Sequence, residues 1–72
     1  MLSPKDYKEV ERRYHDPKIS AYEQRRCHAL LLLSDGYPVE KVAELLRVSI
    51  ERVQEWVNYY QQQGIAGLEE WR

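Results

Sequence analysis

Residues 39–58, VEKVAELLRVSIERVQEWVN, decide the fold. Their apolar positions, Val42, Leu45, Leu46, Val48, Val53, Trp56 and Val57, fit two short amphipathic helices meeting at a tight turn rather than one continuous helix. Ala43 is small where the second helix must cross the first closely, and Ser49 is placed to accept a backbone N–H as N-cap of the second helix. The turn Leu46-Arg47-Val48-Ser49 has the length of a helix-turn-helix connection.

The flanking segments read as two further helices. Ser3-Pro4-Lys5-Asp6 is a helix start, with a serine cap, proline at the first helical position and an acidic first turn. Tyr7, Val10 and Tyr14 follow at helical spacing, until His15-Asp16-Pro17 ends the run, because a residue before proline is pushed out of the α region. Ser20 and Glu23 form a capping-box pattern for a second helix that Asp35-Gly36 stops. Four successive leucines, Leu30 to Leu33, point all round that helix, so it is expected to be covered on two sides: by the helix-turn-helix pair, and by helix one or a second subunit. Pro38 offers no side-chain acceptor, which leaves helix three rigid but weakly capped at its start. Arg47 stands in a turn where glycine is easier. Helix four is expected to be buried along Val53, Trp56, Val57 and Tyr60, and Gly64 ends it. The expected helices span about residues 4–14, 21–34, 39–46 and 50–63 of one 72-residue domain. The tail keeps Ile65, Leu68 and Trp71 at a spacing of three; it reads equally as a loose turn folded back on the body or as a linker stub.

With 43% hydrophobic and 32% charged residues and a helix-forming bias, the class is all-α. Eleven Lys and Arg against twelve Asp and Glu give a net charge of −1, unlike a strong nonspecific nucleic-acid binder. Cys27, the single cysteine, leaves no internal disulfide and no sign of an oxidising compartment. The opening MLSPKDYKEV lacks the apolar core of a signal peptide, and the longest apolar run, residues 29–33, is far short of a membrane span. A cytoplasmic protein without a membrane partner is expected.

From Arg25-Arg26 onward the chain resembles the N-terminal helix-turn-helix segment of IS630/Tc1-mariner-type transposases and related homeodomain-like regulators. The likeness rests on Arg25-Arg26 before the leucine run, Gly36-Tyr37 after it, and Val42-Ala43-Glu44-Leu45-Leu46. Val48-Ser49, Val53, Trp56, Tyr60 and Gly64-Ile65-Ala66-Gly67-Leu68 complete it. It covers roughly residues 25 to 71, about two thirds of the chain. The resemblance implies a four-helix small domain, with a homeodomain-like trihelical core plus an N-terminal helix. The chain departs from the pattern in three ways: Arg47 replaces a usual glycine, Pro38 a usual Ser or Thr cap, and Glu51 and Glu55 stand where many relatives carry Arg or Lys. The chain ends where such a transposase would continue to a second DNA-binding unit and an acidic catalytic domain.

If the resemblance extends to docking, helix four lies in the major groove with its N-terminal part nearest the bases. Ser49, Ile50, Glu51, Gln54, Glu55 and Asn58 then face the base edges. Gln54 and Asn58 suit adenine, Glu51 or Glu55 suits cytosine N4, and Ile50 suits a thymine methyl. Arg25, Arg26, Lys41, Arg47 and Arg52 are the phosphate candidates. The same residues also read as an ordinary solvated helix face, with each cation paired to a glutamate at helical spacing.

Six tyrosines and two tryptophans are many for this length. Trp56 and Tyr60 are expected in the core, while Tyr7, Tyr14, Tyr22 and Tyr59 are expected to be partly exposed. With the all-round leucine helix, they motivate a homodimer through helices one and two. His15 and His28 lie on different helices without a ligand partner at suitable spacing, and Cys27 next to His28 points about 100° away from it. No glycine-rich phosphate loop is present. No enzyme, metal or cofactor is expected. Two functions remain: sequence-specific double-stranded DNA binding, as a small transcriptional regulator or mobile-element-derived module, and a protein-interaction module, antitoxin-like or inhibitor-like, that has lost its basic surface.

Overall fold

Serine caps and chain-breaking residues divide the chain into five segments. The computed structural model describes residues 2–70, with side chains through Leu68. The order is α1 (Pro4–Tyr14), α2 (Ala21–Ser34), α3 (Val39–Leu46), α4 (Ile50–Gln63) and a closing 3₁₀ helix, Ile65–Glu70. Among the described residues there is no strand. None of their helices is long and apolar enough to cross a membrane.

Three of the four α-helices open on a serine whose hydroxyl accepts a backbone N–H three residues on: Ser3 from Asp6, Ser20 from Glu23 and Ser49 from Arg52, at 3.0–3.1 Å. This satisfies one of the donors that a helix start leaves open. Only half of the expected capping box forms, because the Glu23 carboxylate turns to Arg13 on α1, 3.5 Å away. Pro38 caps α3 without a side-chain bond. Two helices end alike. After α2, Tyr37 N–H donates to Leu32 O and Gly36 N–H to Leu33 O; after α3, Val48 N–H donates to Ala43 O and Arg47 N–H to Glu44 O. This paired bond pattern requires a left-handed residue at the junction. Gly36 supplies it after α2 at φ 103°. After α3 the residue is Arg47, at φ 58° and ψ 44°. Gly64, at φ 67° and ψ −169°, ends α4 in a region open essentially to glycine alone.

All five elements feed one core. Val10 comes from α1; Cys27, Ala29, Leu30 and Leu31 from α2; Val42 and Ala43 from α3; Val53 and Trp56 from α4; Ile65 and Leu68 from the 3₁₀ helix. The tail therefore folds back on the body, while Trp71, the third apolar residue of its pattern, lies outside the described residues. The second side of α2 is met by α1, and Leu32 and Leu33 stay half-buried. Polar clasps hold α1 in place. Tyr7 Oη donates to Asp35 Oδ1 at 2.9 Å, and Tyr60 Oη donates to Asp6 Oδ2 at 2.7 Å. The second of these keeps Tyr60 half-buried rather than in the core, and Val57 is half-buried as well. Glu9 bonds both Arg12 and Arg13, and Arg13 reaches Glu23. Leu45, apolar on α3, remains 49% exposed.

Candidate nucleic-acid interface

The break at residues 47–49 separates α3 from α4 and frees the N-terminal half of α4 on one side. Val53 and Trp56 hold the helix against the core. Glu51, Gln54, Glu55 and Asn58 lie opposite them at i, i+3, i+4 and i+7, and all four are exposed. Ser49 is exposed at the helix start while its hydroxyl serves as the cap. Ile50, 40% exposed, presents an apolar side chain beside this polar face. Every residue read from the sequence as base-facing is thus on the surface, five of them along one helix.

The five cations part company. Arg25 is exposed and makes no hydrogen bond or ion pair within the described residues. Arg47 is exposed in the turn. Arg52 is half exposed, with Nε 3.9 Å from Glu55 Oε1, too long for a firm hydrogen bond. Lys41 Nζ is occupied by Glu44 Oε1 at 3.2 Å, an intrahelical pairing of the kind expected on an ordinary solvated helix face. Arg26 departs most from expectation. It is only 9% exposed, and its Nη1 donates to the Leu68 carbonyl at 3.1 Å, so it clasps the 3₁₀ helix instead of standing free on the surface. The reason is geometric: Glu23, Arg26, Cys27 and Leu30 form one i, i+3, i+4, i+7 stripe, and all are buried.

Arg25, Arg26 and Arg52 nevertheless meet. They line a cleft of about 500 Å³ between the N-terminal parts of α2 and α4, together with Tyr22, Val48, Ser49 and Trp56. Among the described residues no carboxylate is part of that lining. Lys41 and Arg47 lie outside it. The exposed helix face carries Glu51 and Glu55, so the cleft arginines are grouped beside that face rather than on it.

Elsewhere the titratable groups point to structure rather than chemistry. Cys27 is fully buried, and burial pushes its thiol up to about 12. Hydrogen bonds from Arg12 and Arg13 hold the Glu9 carboxyl down at about 2. The Tyr7 hydroxyl is raised by its bond to Asp35, and that of Tyr60 by burial and its bond to Asp6. No group of three or more His, Cys, Asp or Glu side chains gathers among the described residues.

The homeodomain-like domain model matches residues 20–69, which span α2, α3, α4 and the 3₁₀ helix. The chain belongs to that family. No curated protein and no solved structure matches it significantly. Membership agrees with the three-helix arrangement around residues 47–49 and points to DNA binding in general. It leaves α1 as an addition ahead of the matched region.

Proposed function

We propose that this homeodomain-like chain is a sequence-specific double-stranded DNA-binding domain, acting as a small cytoplasmic regulator or as a module derived from a mobile element. The observation that carries the reading is the open polar face of α4, opposite Val53 and Trp56, with the cleft arginines beside it. In this arrangement α4 enters the major groove. Gln54 and Asn58 offer paired donors and acceptors suited to adenine, Glu51 and Glu55 accept from cytosine, and Ile50 meets a thymine methyl. Arg25, Arg47 and Arg52 contact phosphate, and Lys41 joins them only by leaving Glu44. Arg26 is withdrawn from the exposed set. Residues 1–72 act as one unit without catalytic residues.

Gel retardation on duplex DNA at low salt tests the reading. No retardation at about 100 μM protein, which is within the weak nonspecific range, refutes it. Where binding occurs, Arg52→Ala weakens it on every sequence and flattens the slope of log K against log salt by about 0.9. Gln54→Ala changes the preferred sequence instead.

A second reading, a protein-interaction module on the same scaffold, is favoured by Glu51 and Glu55 on the exposed face, by the internal use of Arg26, and by the net charge of −1. One stoichiometric protein partner recovered from the native host, without DNA, supports it. Tyr22, 67% exposed on α2, and half-buried Leu32 and Leu33 leave room for self-association through helices one and two. Sedimentation equilibrium decides this: a monomer at high micromolar concentration excludes the homodimer.

A further inference from the structure

Two buried donors stand without partners in this molecule, and they belong to two walls of the same cleft. Arg26 is 91% buried and Trp56 97% buried, and both Arg26 Nε and Trp56 Nε1 lack a hydrogen-bond partner. A buried donor left unpaired is costly, and native structures rarely keep one without a use. Both belong to residues that line one cleft, which points to an acceptor that comes from outside. The cleft's other polar lining fits that acceptor's charge. Arg25 and Arg52 bring two more guanidinium groups, and Ser49 marks the N-terminus of α4, where the helix dipole favours an anion.

We propose that the cleft between α2 and α4 binds one phosphate group, with Arg26 Nε and Trp56 Nε1 as inner donors and Arg25 and Arg52 as outer ones. Guanidinium groups match phosphate oxygens in geometry as well as charge. Among the described residues Arg26 donates to a carbonyl and pairs with no carboxylate. Burial lowers its pKa from the usual arginine value; the neighbouring Arg52 acts in the same direction and Glu23 in the opposite one. A phosphate between Arg26 and Arg52 turns their mutual repulsion into shared attraction. Free phosphate and a backbone phosphate of DNA present the same chemistry. For the second source, the inference rests on the DNA-binding reading, adds Trp56 to its contacts and returns Arg26 to them as an inner donor.

The test is nitrogen–proton NMR of the full chain. It has only two tryptophans, so Trp71→Phe assigns the Trp56 indole signal. Inorganic phosphate is titrated against sodium chloride of matched ionic strength, and a short duplex is titrated separately. The expected result is a saturable shift of the Trp56 indole N–H and the Arg26 Nε–H with phosphate and not with chloride, weakened at least fivefold by Arg52→Ala or Arg25→Ala. Arg26→Lys, which keeps the charge and removes the Nε donor, weakens phosphate binding too; the two outer variants carry the test should it fail to fold. Shifts with the duplex as well assign the site to a backbone phosphate; shifts with phosphate alone, and no gel retardation, keep the cleft and remove the DNA reading. Retardation of DNA while both signals stay fixed under either titrant removes the cleft and keeps the DNA reading. Equal shifts in phosphate and chloride also overturn the proposal.

Discussion

Replacing Arg47 by glycine separates the cost of the turn from the role of the charge. Arg47 holds φ 58° because the bonds from Val48 to Ala43 and from Arg47 to Glu44 close the end of α3 around it. A side chain in the left-handed region costs roughly 1–2 kcal/mol. Glycine removes that cost but widens the unfolded ensemble, which offsets roughly 0.4–1 kcal/mol. The net gain expected for Arg47→Gly is about 0.5–1 kcal/mol, which in a domain of this size raises Tm by about 3–6 °C. Arg47→Ala keeps the strain and serves as the control. Thermal melts followed by circular dichroism, beside gel retardation of the same proteins, read both effects. If Arg47 contacts phosphate as proposed, both variants weaken DNA binding by the same factor, whereas only the glycine variant melts later. If Arg47→Gly melts no later than Arg47→Ala, the strain argument is refuted. If DNA affinity is unchanged in both, Arg47 is no phosphate contact.

Three further outcomes follow from the core and its clasps. Cys27, buried with its thiol pushed up to about 12, resists a thiol reagent at pH 8 in the native protein and reacts at full rate in denaturant; rapid labelling of the native protein contradicts the burial. Leu68→Ala removes a fully buried side chain from the 3₁₀ helix and costs about 2–5 kcal/mol in urea unfolding, a large share of the total stability expected for so short a chain. A loss below about 1 kcal/mol shows that the tail is not part of the cooperative core. Glu9, held near 2 by Arg12 and Arg13, favours the folded state at pH values above the ordinary carboxylate range, and this contribution is lost as pH falls through about 2. Glu9→Gln is therefore expected to lower Tm at pH 6, with the difference from the parent shrinking toward pH 2; a constant difference across that range contradicts the pairing.

What was legible in the sequence was local. Ser3, Ser20 and Ser49 mark helix starts because a short hydroxyl can reach a backbone donor only from that position, and Gly64 marks an end because its backbone angles suit little else. The Arg47 departure was visible for the same reason, since the turn needs a particular backbone state whichever residue fills it. Long-range partners were hidden. The Leu68 carbonyl that takes up Arg26 lies 42 residues away, and the Asp6 partner of Tyr60 lies 54 residues away. The i, i+3, i+4, i+7 stripe shared by Arg26, Cys27 and Leu30 was the available sign that this arginine turns inward, but an Arg25-Arg26 pair reads first as surface charge. The grouping of Arg25, Arg26 and Arg52 in one cleft depends on how α2 crosses α4, which no single helix pattern fixes. The tail stayed open between two readings because Ile65 and Leu68 are too few apolar positions to commit a segment to a core before that core exists.

The helix ahead of the family-matched region has a consequence for how the molecule can be cut. Val10 is wholly enclosed, and the hydroxyl of Tyr60, near the far end of α4, is taken up by Asp6. A fragment starting at residue 20 would retain every part of the recognised motif and yet open a greasy trench along the leucine-rich helix, which a second fragment would be quick to fill. Self-association of such a fragment would say nothing about the intact chain, so dissections of this gene should place their upstream boundary before residue 3.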